Sequence, residues 1–140
     1  MKSDLDKIVS FIDEHHVMTL ATFDGHLPQC CNLFYAYIKE ENCFIVASDE
    51  KTEHIKNIMR NPLIAASIVL ETRTVGKIQG LQIRGAMAKA DDSRAKRAYF
   101  HAFSYARVMK PVLWRITIEN MKLTDNRLGF GKKLIWKNSR

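Results

Sequence analysis

The sequence predicts a mainly β chain in which short helices link six antiparallel strands that close into a small barrel. Three observations lead there. The early chain reads strand, turn, strand, turn, strand, and alternating polar and apolar residues return later in the 140 residues. About six short strands in one chain leave two sticky edges unless the sheet closes on itself. The composition, 46% apolar and 26% charged, is that of a folded domain, and the length is that of one, here residues 1–140. A ferredoxin-like sandwich is the alternative, and the run of consecutive early strands argues against it.

The elements follow in order. Residues 4–15 form an amphipathic helix: Ser3 or Asp4 can cap it, and Leu5, Ile8, Val9, Phe11 and Ile12 fall on one stripe. Val17 to Phe23 is rich in strand formers and ends at Asp24-Gly25, a hairpin-turn signal. The second strand runs from Pro28 to Ile38, and Glu40-Glu41-Asn42 turns into a short apolar strand, Cys43 to Ala47. Between Ser48 and Asn61 the period becomes helical, with Ile55, Ile58 and Met59 in phase and Asn61-Pro62 as the stop. Leu63 to Leu70 is so evenly apolar that it is expected to be covered on both faces. Thr72 to Gly80 reads as a polar loop or hairpin arm. Leu81 to Ala90 alternates again, and its Gly85 marks a bulge or bend. Asp92-Ser93 can cap an Ala-rich helix running to Phe103. Leu113 to Leu123 is the last clear strand.

Charge is uneven. The net charge is +7; residues 1–91 carry −2 and residues 92–140 carry +9. A basic final third suits nucleic acid or a phosphate-bearing cofactor. No helix-turn-helix, zinc-finger or RNP-type aromatic pattern accompanies it, so nucleic acid is not expected. The cysteines, Cys30, Cys31 and Cys43, form no C-x-x-C pair. They read as buried, unreactive thiols. Their odd number and the polar start fit a reducing cytoplasm. No apolar run approaches the roughly 18 residues that cross a bilayer, so no membrane role is expected.

Few residues announce chemistry. His15-His16 project apart on a helix and read as a helix end, not a metal site. His26 and His101 are isolated. No residue stands out as a catalytic acid, base or nucleophile. Leu128-Gly129-Phe130-Gly131-Lys132-Lys133 lacks the strand-to-helix setting of a phosphate loop. The informative stretch is Ser48 to Asn57, where hydroxyls, a Lys, a His and backbone N–H groups gather at a helix start. Two readings stand there: a phosphate seat, or a helix capped by Thr52 with solvated charges.

At this stretch the chain resembles the flavin-binding split-barrel superfamily, the pyridoxamine 5'-phosphate oxidase-like proteins. Those proteins carry Ser-x-Lys-x-x-Asn after the third strand, on a helix ending in Asn-Pro. The matching run here is Thr52-Glu53-His54-Ile55-Lys56-Asn57, ending at Asn61-Pro62. The tail Thr124-Asp125-Asn126, Leu128-Gly129-Phe130-Gly131-Lys132-Lys133 and Ile135-Trp136 is similar to that of a small bacterial branch of the superfamily. The resemblance spans nearly the whole chain. It implies a six-stranded split barrel of the FMN-binding type, a homodimer with FMN at its interface, and flavin-dependent redox chemistry on a small molecule.

Residue by residue, the resemblance places Asn32 at a polar flavin contact of the second strand and Ala47 and Ser48 beside the flavin. Lys51, Thr52 and His54 fall on the phosphate turn, and Gln82 against the isoalloxazine ring. Lys132, Lys133 and Trp136 are placed at the flavin of the partner subunit. The chain also departs from the pattern. Asn32 lacks the charge of an Arg. His54 stands for a Lys, so its positive charge titrates near neutral pH, while Lys51 keeps a permanent one. The Trp and Arg arrangement that pyridoxamine-phosphate oxidases use for substrate is missing, so that activity is not expected. A haem-binding or cofactor-free split barrel without enzymatic activity is the alternative.

Overall fold

One strand organises the sheet. In the structure, a computed structural model that describes residues 2–139, strand β6 (Leu113–Asp125) has three strand neighbours. On one edge it pairs with β5 (Gln79–Lys89) along nearly its whole length. Its other edge is divided. Leu113 to Thr117 pair with β3 (Cys43–Ala47), and Asn120 to Thr124 pair with β7 (Lys133–Lys137). The remaining antiparallel order runs β3, β2 (Pro28–Ile38), β1 (Val17–Phe23), β4 (Leu63–Leu70), β5. The β3–β6 pairing therefore closes six strands into a barrel, and β7 extends it as a flap. The split barrel expected from the sequence is present, with a seventh strand that the sequence did not announce.

The division has a local cause. Register slips between Arg84 and Gly85, so Gly85 pairs with Ile118 and Glu119 is the extra residue. That bulge lies where β6 passes from β3 to β7, and bulges bend strands. Gly85 is required there: a Cβ would meet the Thr117 carbonyl oxygen at 2.1 Å.

Inside the barrel, alternate residues converge: Met18 and Leu20 from β1, Ile64, Ala66 and Ile68 from β4, Leu81, Ile83 and Met87 from β5, and Ile116, Ile118 and Met121 from β6. Helix α1 (Asp4–Glu14) plugs this core with Ile8, Phe11 and Ile12. A capping box starts it, with Ser3 Oγ accepting from Asp6 N–H and Asp6 accepting from Ser3 N–H. Tyr35 donates its hydroxyl to the Ile12 carbonyl at 2.7 Å and pins the helix end. A second core forms where α3 (Ser93–Ala102) lays Ala95 and Tyr99 on Ala36, Ile38, Cys43 and Ile45. Arg115 holds this closure: it forks onto Asp92, the N-cap of α3, at 2.9 and 3.0 Å.

Several expectations are corrected. β4 is buried on one face only; Leu63, Ala65, Ser67 and Val69 point outward, and Leu63 is 67% exposed. Antiparallel pairing leaves an outer face without a covering helix. Met59 points to solvent, because α2 spans only Glu53–Arg60 and buries Ile55, Asn57 and Ile58. Cys30 is exposed and Cys31 half-buried; only Cys43 is buried. A short helix α4 (Ala106–Met109) joins α3 to β6. Among the described residues no helix is long and apolar enough to cross a membrane.

Gly85→Ala is expected to cost about 3 kcal/mol, since backbone must move to admit the methyl. Gly76→Ala, where a Cβ meets nothing within 4 Å, should stay within about 0.5 kcal/mol of wild type. Urea unfolding of both variants checks the pair; equal midpoints would refute the close-approach argument.

Candidate functional site

The chain leaves β3 at Ala47 and enters α2 through Ser48 to Thr52. This turn is wired to β6. Ser48 N–H donates to the Val112 carbonyl at 3.0 Å, and the Trp114 indole N–H donates to the Ser48 carbonyl at 2.9 Å. Asp49 shapes the turn by accepting from Lys51 N–H at 2.7 Å. Thr52 caps α2: its hydroxyl donates to the Asp49 carbonyl at 2.8 Å and accepts from Ile55 N–H at 3.4 Å. The capped-helix reading therefore holds for Thr52 itself. That leaves its hydroxyl without a hydrogen for any ligand.

His54 sits in the first turn of α2 and folds back over the cap. Its Nε2 lies 2.5 Å from Ser48 Oγ and 3.3 Å from Thr52 Oγ1. Burial holds its pKa below the usual 6.5, which favours the neutral ring. Lys51 is exposed one residue before the cap. Ser48, Lys51, Thr52 and His54 thus share one short turn at a positive helix end. The donor set, one hydroxyl, one ammonium and one imidazole, has the chemistry of a phosphate seat.

The other predicted residues divide into two groups. Asn32 is near this turn: Tyr35 pairs with Val46, so the chain leaves β3 beside Leu33 and Asn32. Asn32 accepts from the Thr19 hydroxyl at 2.9 Å. By register, Asn32, Thr19, Ser67 and Gln82 form one outward row across β2, β1, β4 and β5. Three strand spacings put Asn32 and Gln82 about 14 Å apart along the sheet. Lys132, Lys133 and Trp136 lie elsewhere. Ala47 pairs with Leu113 and Lys133 with Thr124, about 36 Å apart measured along the β6 backbone. Within one chain the tail does not join the turn.

The tail motif has a structural role of its own. Asp125 is buried and accepts from Arg127 at 2.9 and 3.1 Å. The Asn126 amide donates to the Val75 carbonyl, and its oxygen accepts from Gly131 N–H. These contacts tie the loop before β5 to the turn before β7.

Two features escaped the sequence reading. Asn57, the last residue of the motif, is buried and donates to Thr22 Oγ1 and Gln29 Oε1, both at 3.1 Å. It fastens α2 to the β1–β2 hairpin and so positions the turn. Its signal was the motif spacing, which does not reveal its partners. A groove of about 980 Å³ runs over the outward face of β1, β4, β5 and β6, floored by Ala21, Ala65 and Ala86 and edged by Phe23, Leu63 and Arg84. None of the ten predicted site residues lines it. Its signal was the small residues at alternate positions.

Comparison with known proteins completes the description. The family model described as pyridoxamine 5'-phosphate oxidase matches residues 5–125. A UPF0306 protein of Cronobacter sakazakii is 35% identical over 135 residues, covering 94% of each chain. A haem-binding protein of Mycobacterium smegmatis has the same fold, with a TM-score of 0.80, 14% identity and 98% of this chain covered. This chain spans 59% of that protein. An FAD-binding protein of Mesorhizobium loti superposes with a TM-score of 0.70 and 19% identity over 87% of this chain and 92% of its own.

Asn57→Ala should destabilise the protein by about 2 kcal/mol, because it leaves the buried Thr22 hydroxyl short of a donor. Chemical denaturation measures the loss; a change below experimental error would show that Asn57 does not anchor α2.

Proposed function

Since this chain belongs to the pyridoxamine 5'-phosphate oxidase family, and with its bacterial relatives to the UPF0306 proteins, we propose that it is a flavin-dependent redox protein. In this reading it binds FMN at the interface of a homodimer and acts on a small molecule. One observation carries the reading: Ser48 and His54 meet at the start of α2, with exposed Lys51 on the same turn, and Ser48 is anchored through its N–H to Val112 and through its carbonyl to Trp114. A phosphate there is favoured by the helix end and by Lys51. Asn32 and Gln82 supply polar contacts along one outward row, on which the ring system would lie.

The flavin, when bound, supplies the electron or hydride transfer; the protein binds and orients it. Ser48 and Lys51 hold the phosphate end. Ala47 leaves room for the cofactor where β3 ends. Asn57 keeps the turn in place from beneath.

The second copy follows from two features. The outward groove carries exposed Leu63 and Phe23 over a floor of small side chains, a surface that a like surface can cover. Lys132 and Lys133 are too far along β6 to serve the turn of their own chain, and a two-fold partner offers them a cofactor to reach.

Titration of the purified protein with FMN should give saturable binding and a shifted flavin spectrum. Lys51→Ala should weaken FMN about fivefold and leave riboflavin unchanged. An absence of binding at micromolar flavin, or a Soret band with haem in its place, would overturn the reading. Light scattering should give twice the chain mass, and Leu63→Asp should shift it toward the monomer; a wild-type monomer would remove the interface site.

A further inference from the structure

The hydrogen bonds of the Ser48–His54 turn go further than phosphate binding. Resting on the flavin reading above, we propose that His54 makes this turn a proton-coupled receptor for a phosphate monoester dianion, selecting FMN over the diphosphate-bridged FAD.

Counting hydrogens assigns the ring. Thr52 has one hydroxyl hydrogen, and it goes to the Asp49 carbonyl. Its contact with His54 Nε2 at 3.3 Å is then a hydrogen bond only if Nε2 carries the hydrogen. That same N–H reaches Ser48 Oγ at 2.5 Å. In that tautomer Ser48 accepts from the ring, and its own hydrogen is left to point at an incoming oxyanion. Nδ1 of His54 has no hydrogen-bond partner among the described residues, and it takes the proton when the ring becomes charged.

The charges around the ring do not supply that proton's counter-ion. On its own turn, Glu50 pairs with Lys89 at 3.7 Å and Glu53 with Lys56 at 3.5 Å. Asp49 is engaged with backbone N–H of Lys51, and Lys51 is itself a cation. Strand β1, against which α2 packs, has no titratable residue. β2 brings Cys30, Cys31, Tyr35 and Tyr37. Tyr35 donates to Ile12 and Tyr37 to Asn42, and burial pushes the Cys31 thiol up. On β6, Arg115 is tied to Asp92 and Glu41, and Trp114 is neutral. None of these groups holds a positive charge on His54, and burial lowers its pKa, which favours the neutral ring.

A dianion changes this balance. A phosphate monoester carries two negative charges above its second pKa of about 6. Each phosphate of a diphosphate diester carries one. The dianion draws a proton from solvent onto Nδ1, and the resulting imidazolium strengthens the donor at Nε2 toward Ser48. A Lys at this position would bind either ligand without proton uptake.

The test is calorimetry of FMN and FAD in buffers of unlike ionisation enthalpy between about pH 7 and 8, above the unperturbed His pKa of about 6.5. FMN is expected to bind with uptake approaching one proton and to weaken with rising pH, by up to about tenfold per unit. FAD should bind more weakly, with little uptake. His54→Gln should keep its fold by circular dichroism and bind FMN without uptake or pH dependence; His54→Lys should bind tightly and without pH dependence. A second arm needs no flavin: in 15N spectra of the His54 ring, phenyl phosphate should raise its pKa and phenyl sulfate should not. Uptake that persists in His54→Gln, or equal uptake with FAD, overturns the proposal while the flavin reading stands. A ring unmoved by phenyl phosphate also overturns it. A ring that responds to phenyl phosphate in a protein that ignores FMN would refute the flavin reading alone.

Discussion

The close approach of Gly85 to the Thr117 carbonyl is the contact on which the architecture turns. β6 has to pair with β3 through Thr117 and with β7 from Asn120 on the same edge. A straight strand would carry a single neighbour along that edge. The extra residue, Glu119, bends β6 between the two pairings, and the bend is possible because β5 presents no side chain there. Closure of the barrel, the position of α1 beneath β7 and the separation of the tail from the α2 turn all descend from this bend.

Closure also carries the candidate site. Ser48 sits one residue beyond a strand held by β6 at Leu113, and its backbone N–H and carbonyl both bond to the β6 region. A turn held at both ends loses little conformational entropy when it binds a ligand. Thr52 then starts α2, and Asn57 fastens that helix to the β1–β2 hairpin. The three residues act in series: Ser48 fixes the entry, Thr52 the cap and Asn57 the underside. His54 is half-buried by this arrangement, and that burial lowers its pKa.

Much of the fold was legible because four strands are rich in strand formers and their turns carry clear chemistry. Val17–Phe23, Pro28–Ile38, Cys43–Ala47 and Leu63–Leu70 begin and end where the residues said. Asp24 accepts from His26 and Leu27 N–H in the first hairpin, as a turn-forming Asp does. β7 was not legible. Lys133 to Lys137 is short, flanked by lysines and preceded by two glycines with positive φ; its strand character comes from pairing with β6. The even apolar run of β4 concealed the exposed face, since the number of covered faces is a property of the sheet and not of the strand.

By itself the sequence determined the order of elements as far as β6, the bulge at Gly85 and the capped helix start within Ser48 to Asn57, because each depends on neighbours along the chain. The tertiary structure decided what depends on distance. It showed that the Thr52 hydroxyl is committed to its cap, that the half-buried His54 folds back onto Ser48, and that Asn32 and Gln82 share a row. It also showed that Lys132 and Lys133 lie at the far end of β6. Periodicity reports which face a side chain takes, and only strand pairing sets which faces and which ends meet.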